Sequence, residues 1–153
     1  MCLYNPKQVT LDKDLVCYKV VHYDVETGKY ISPFTHPGTY TIGRTRSLNG
    51  NKLPKIEPHG LFKIPAITGG ALHTLLEPAD AVRLAKSLLW QNLHVIECVI
   101  PKDSKFVYEG YIPMYKSKEL SHATSYASQK VKPVRVVFHV FRHEGKYEVK
   151  SLI

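Results

Sequence analysis

Three cysteines in 153 residues, Cys2, Cys17 and Cys98, are an odd number with no C-x-x-C spacing, which argues against both a disulfide framework and a zinc ribbon. Reduced thiols are then the default, and they point to an intracellular setting, cytoplasmic or nuclear. Long hydrophobic runs are missing too. The most apolar stretches, LLWQNLHVI and PVRVVFHVF, are broken by polar groups. They fall far short of the roughly 20 residues a bilayer-spanning helix needs, so no membrane partner is expected. The start, MCLYNPKQVTLDKD, has no basic segment followed by an apolar one, and no Asn-x-Ser/Thr sequon occurs, which argues against secretion. Internal repeats and interdomain linkers are absent, so residues 1–153 read as a single domain, large enough to bury a core without metal or disulfide staples.

What the chain does have is positive charge. Twenty-one Lys and Arg against thirteen Asp and Glu give a formal +8, and the isoelectric point is near 9.4. Such a balance favours an anionic partner: nucleic acid, a nucleotide or an acidic protein surface. The charge is uneven. Residues 43–60, GRTRSLNGNKLPKIEPHG, carry Arg44, Arg46, Lys52 and Lys55 with no acid before Glu57, and Gly43 and Gly50 would let backbone approach a ligand closely. This is a candidate phosphate cradle, although not a P-loop, because six residues separate the glycines and Lys52 is not followed by Ser or Thr. No G-x-G-x-x-G occurs, so a dinucleotide cofactor has no support and no cofactor is expected. A second basic group, Lys116, Lys118, Lys130, Lys132 and Arg135, is interleaved with Tyr111, Tyr115 and Tyr126, rings that could stack bases. A solvated face with packed tyrosines is the competing reading of that group.

Along the chain, LVCYKVVHY at 15–23, the turn DVETG and KYIS form a β-hairpin pattern, with Gly28 at the left-handed position. A short strand is expected around 40–42, a loop over 43–60 and a buried strand at GLFKIP, 60–65. A helix is predicted over 78–91: Pro78 suits its first turn, Glu77 and Asp80 its positive end, and Ala81, Leu84, Ala85, Leu88 and Leu89 line one face. LHVIECVIP follows as a strand, so strand, helix and strand over 61–100 could form a parallel crossover. KFVYEG reads as its antiparallel neighbour. YKSKELSHATSYASQK, rich in small and hydroxyl residues, reads as a helical turn and loop, and PVRVVFHVF with KYEVKSLI closes the chain as a hairpin.

Few side chains suggest chemistry. His139 and His143 have a spacing that puts two ligands on one helical face, but their host reads as a strand, where four residues separate side chains by about 13 Å. No metal site is therefore expected. Cys98 shares a strand face with Ile96 and Ile100 and reads as a small buried hydrophobe rather than a nucleophile. Glu97 is the one weak catalytic candidate: a carboxylate between Val95 and Val99, either solvated at a sheet edge or held in a cleft by a cation or tyrosine, with Tyr18, Lys19 and His22 as possible neighbours.

The order YKVV, GKYISP, Tyr40-x-x-Gly43, GLF, an amphipathic helix and IECVIP, over residues 15–110, resembles small phage and viral proteins. The resemblance implies a viral-type α+β protein and carries no catalytic residue. In outline the alternation of short strands with one helix is also similar to small ADP-ribosyltransferase-like folds. The fold expected is α+β: a mixed, mainly antiparallel sheet of about six or seven strands with helix 78–91 on one face, the alternative being an OB-like barrel with an added C-terminal hairpin. The function expected is a non-enzymatic interaction protein binding an anionic partner, most simply nucleic acid. The alternatives are a nucleotide-handling enzyme using Glu97 or a histidine and an assembly component of a viral particle.

Overall fold

A computed structural model describes residues 2–34, 38–49, 52–88, 90, 92–116 and 118–153, without the side chains of Tyr115 and Lys116. The strands in chain order are β1 (Leu3–Gln8), β2 (Leu15–Asp24), β3 (Lys29–Ile31), β4 (Thr39–Tyr40), β5 (Arg46–Ser47), β6 (Glu57–His59), β7 (Ile64–Ile67) and β8 (Leu72–Leu75). The helix α1 (Pro78–Ser87) follows, then β9 (Asn92–Ile100), β10 (Val107–Lys116), β11 (Glu119–Ser128), β12 (Lys130–His143) and β13 (Lys146–Ser151).

The expected α+β fold is overturned. The protein is mostly β, a 13-stranded sheet in the order β13-β12-β9-β2-β8-β11-β10-β1-β7-β6, with β3, β4 and β5 as short side branches. Every pairing among the described residues is antiparallel. The undercount of strands has a physical origin in residues 118–130. Their Ala, Ser and Thr residues lack the bulky alternation that marks a strand, yet β11 pairs along its whole length with β10, and its Ala123, Ser125, Ala127 and Ser128 are buried. Small side chains fit where the sheet is covered closely. β1 is a further strand, pressed so near β10 that a Cβ on Gly110 would meet the Tyr4 carbonyl oxygen at 2.4 Å. The OB-like alternative is also overturned, because β13 and β6 end the path and, among the described residues, no pairing joins them into a barrel.

The hairpins follow the local chemistry. Between β2 and β3, the Asp24 carboxylate accepts from the Glu26 amide at 3.1 Å and the Thr27 hydroxyl at 2.9 Å, while Gly28 takes a φ of 70°. Between β12 and β13, Glu144 and Gly145 both have positive φ (51° and 77°), as a two-residue turn that follows strand twist requires. GLFKIP does not hold a buried strand at its start: Leu61 and Phe62 are 89% and 84% exposed at the β6–β7 turn, and the strand begins at Ile64.

The helix begins at Pro78 and stops earlier than expected. Leu88 is already extended, and Leu89 and Gln91, which the apolar pattern includes, lie outside the described residues. Asp80 in the first turn pairs with Arg83 at 2.7 Å, and Ala81 and Ala85 face the sheet. The helix bridges β8 and β9, but these are not adjacent. Both run antiparallel to β2, which lies between them, so they are parallel to each other across an intervening strand. Around α1 one core gathers Val20, Leu75, Leu93, Val95, Ile112 and Val137. On the opposite face a second core holds Cys17, Val21, Tyr40, Ile96, Cys98 and Ile100, covered by loops instead of a helix. No described helix is long and apolar enough to cross a membrane.

Candidate anion-binding cleft

β5 joins the two basic regions that the sequence shows separately. Arg46 stands opposite Val131 and Ser47 opposite Lys130. The Gly43 amide donates to the Pro133 carbonyl at 2.8 Å, the Leu48 amide to the Gln129 carbonyl at 3.0 Å, and the Gln129 side-chain amide to the Leu48 carbonyl at 3.2 Å. Arg44, Arg46, Lys130 and Lys132 therefore share one end of the molecule. Lys52 and Lys55 belong to the same end, because they line a cleft of about 460 Å³ together with Leu48, Gly70 and Gln129, and among the described residues Glu57 is the one acid in that lining. Gly50, part of the expected cradle, lies outside the described residues. Alternation along β12 sets the directions: Arg46 shares the side of Val131, and Lys130 and Lys132 take the other side. Lys130 pairs with Asp103 at 3.2 Å.

The rest of the second basic group lies elsewhere. Lys116 ends β10 and Lys118 sits in the β10–β11 turn, the full length of the ten-residue β11 from Lys130, or roughly 30 Å at strand rise. The Lys116 side chain is not among those described. Tyr126 is buried, and its hydroxyl donates to Glu109 at 3.2 Å, so it offers no ring face to a base. Burial, then the Glu109 charge, pushes its phenol up to about 12.

Beside the cleft and sharing Leu48 and Gly70 with it is a smaller pocket of about 150 Å³, lined among others by Lys19, Ser32, Tyr40, Arg46 and His73. Lys19 is only 6% exposed. Its ammonium donates to the His73 carbonyl at 2.8 Å and lies 5.0 Å from the Tyr40 ring centre, over which the Arg46 guanidinium also lies at 4.7 Å. Among the described residues, no Asp or Glu lines this pocket. Composition and spacing do not single out Lys19 as a site residue, but strand alternation carries a signal: Cys17, Lys19 and Val21 share one phase of β2, and its neighbours in that phase are fully buried.

Glu97 does not reach the cleft. It lies opposite Tyr18 on the helix-covered face, while Lys19, opposite Ile96, points to the loop-covered one. Arg135 holds it with donors at 3.2 and 3.5 Å. Burial, with the Glu97 charge added, raises the Tyr18 phenol. Of the neighbours the sequence suggests, Tyr18 is beside Glu97 and Lys19 is across the sheet.

Cys17 and Cys98 face each other across β2 and β9 as free, fully buried thiols. Burial pushes Cys17 up to about 12 and Cys98 well above the usual thiol range, so neither is an activated nucleophile. His139 and His143 do not converge. His143 is exposed next to Glu144, whereas His139 stacks on His94 at 4.5 Å and 11° and bonds to the Asn92 side chain. Burial, His139 and His22 lower His94 to about 4. Among the described residues no three His, Cys, Asp or Glu are placed to hold a metal ion.

Fold and site thus define an antiparallel β protein with basic side chains gathered at one end, around and beside a cleft. No protein-family model, curated protein or solved structure matches the chain. The chemistry of the cleft is therefore the guide to function.

Proposed function

We propose that this protein is a nucleic-acid-binding interaction protein whose cationic end engages the phosphate backbone. The observation that carries the reading is the β5–β12 pairing. It brings Arg44, Arg46, Lys130 and Lys132, drawn from segments about 80 residues apart, to one end of the molecule, where Lys52 and Lys55 line the cleft beside Glu57. Long basic side chains on loops and at a strand end can follow a polyanion without reading its sequence. The three free cysteines suit a reducing, intracellular compartment.

Fluorescence anisotropy with a labelled single-stranded oligonucleotide, run as a salt series, tests this. The wild-type affinity falls as salt rises. Reversing the exposed Arg44 and Lys132 (R44E/K132E) weakens binding and flattens the log–log slope by about 0.7 for each phosphate that is no longer neutralised. Equal affinity and equal slope for the variant overturn the reading.

A further inference from the structure

Lys19 is the most unusual charge in the molecule. Burying an ammonium is costly unless it is paired, and lysine is rarely this buried without a carboxylate. Lys19 has a carbonyl and a ring face, and no acid lines its pocket among the described residues. Of its three N–H donors one is used by His73. Arg46 brings a second cation over the same ring, and Ser32 adds a hydroxyl that accepts from the Phe34 amide at 3.3 Å and retains its own proton to donate. Two cations in such a lining match a dianion better than a monoanion. A phosphomonoester carries close to two negative charges and three acceptor oxygens at neutral pH.

We propose that the pocket lined by Lys19, Tyr40, Arg46 and His73 binds a terminal phosphoryl group, with the Lys19 ammonium as its principal ligand. About 150 Å³ admits the phosphoryl group and leaves the organic remainder to the adjoining cleft of about 460 Å³, which shares Leu48 and Gly70. The phosphoryl group comes either from the end of a nucleic-acid strand or from a small phosphomonoester. The site shares Arg46 with the backbone contacts proposed above but differs from them in Lys19 and Tyr40, which are buried and cannot follow a polymer.

The test is a ¹H–¹⁵N NMR titration with inorganic phosphate, ionic strength held constant with chloride. Saturable shifts centred on the amides of Lys19, Gly70 and His73 are expected. Lys19→Met keeps the length of the side chain and weakens phosphate by about tenfold or more, the usual share of a hydrogen bond between ionised groups. Shifts confined to the exposed rim around Arg44 and Lys132, no saturation, or unchanged affinity in K19M overturn the proposal. The wild-type shift map decides the matter even if the variant does not fold. The source follows from one short single strand with and without a 5′-phosphate: tighter binding of the phosphorylated form assigns the group to a strand end, and equal binding to a small phosphomonoester. Phosphate binding without oligonucleotide binding keeps this site and removes the backbone reading, and the converse does the reverse.

Discussion

Lys19 and Glu97 occupy adjoining rungs of the β2–β9 ladder, Lys19 opposite Ile96 and Glu97 opposite Tyr18, and they leave the sheet on opposite faces. Glu97 emerges on the face that α1 covers, where Arg135 meets it and the surroundings are the apolar core. Lys19 emerges on the face that loops cover, into a pocket that holds a second cation and, among the described residues, no acid. The two faces therefore serve different ends. A charge that the fold has paired is part of the structure, and one buried without an acid is kept for something from outside.

If the helix-covered face is the structural one, the largest loss of stability comes from cutting into it. Leu93, fully buried against α1, should cost about 2–5 kcal/mol on Leu93→Ala, read by urea denaturation. Lys19→Met on the other face should leave the unfolding free energy unchanged or higher, because it removes a buried charge without opening a cavity, while phosphate binding weakens about tenfold or more. A K19M loss as large as that of L93A would erase the distinction between the faces. Glu97→Gln should cost less than about 1 kcal/mol, since Arg135 is 56% exposed and solvent screens the pair. The same change should lower the Tyr18 phenol, visible in an ultraviolet titration as earlier ionisation.

A smaller effect concerns pH. His94 takes up its proton near pH 4 in the folded chain and near 6.5 when unfolded, so the unfolded state binds more protons between these values. Stability is full above about pH 6.5 and falls as pH drops toward about 4. His139, lowered by burial and by Lys150, adds to the same loss. Urea midpoints at several pH values check this, and His94→Phe should flatten the profile. Least of all, a thiol reagent should label the native chain at Cys2 alone, because Cys17 and Cys98 are buried with raised pKa values. Rapid labelling of two or more thiols would show that the central strands open.

The parts of the fold legible in the sequence are those set by local rules. The β2–β3 and β12–β13 hairpins announce themselves through alternation and a turn glycine, and the start of α1 through Pro78 and Asp80. Strand number is not legible. β11 looks like a loop because closely covered positions select Ala, Ser and Thr, and β1 contains Pro6 and Asn5 at a φ of 49°, neither of which reads as strand. The cationic end is half legible. Arg44, Arg46, Lys52 and Lys55 are visible as a run without acids, but their union with Lys130 and Lys132 depends on a pairing between segments remote in sequence. Nothing local tells that Lys118, close to Lys130 in the chain, sits at the other end of β11. Tyr126 shows the limit of composition, since a tyrosine inside a basic stretch reads the same whether its ring is free or buried on Glu109.

Whether Lys19 serves a ligand or the fold is decided by the melting temperature of wild type and K19M, side by side, in phosphate and in chloride at equal ionic strength. A ligand that binds only the folded state raises the melting temperature of the protein that holds it. Phosphate should raise the wild type, K19M should melt at or above wild type in chloride, and phosphate should raise K19M by much less than it raises the wild type. A K19M protein that melts well below wild type in chloride yet keeps the full phosphate increment would overturn this assignment, and Lys19 would then belong to the fold.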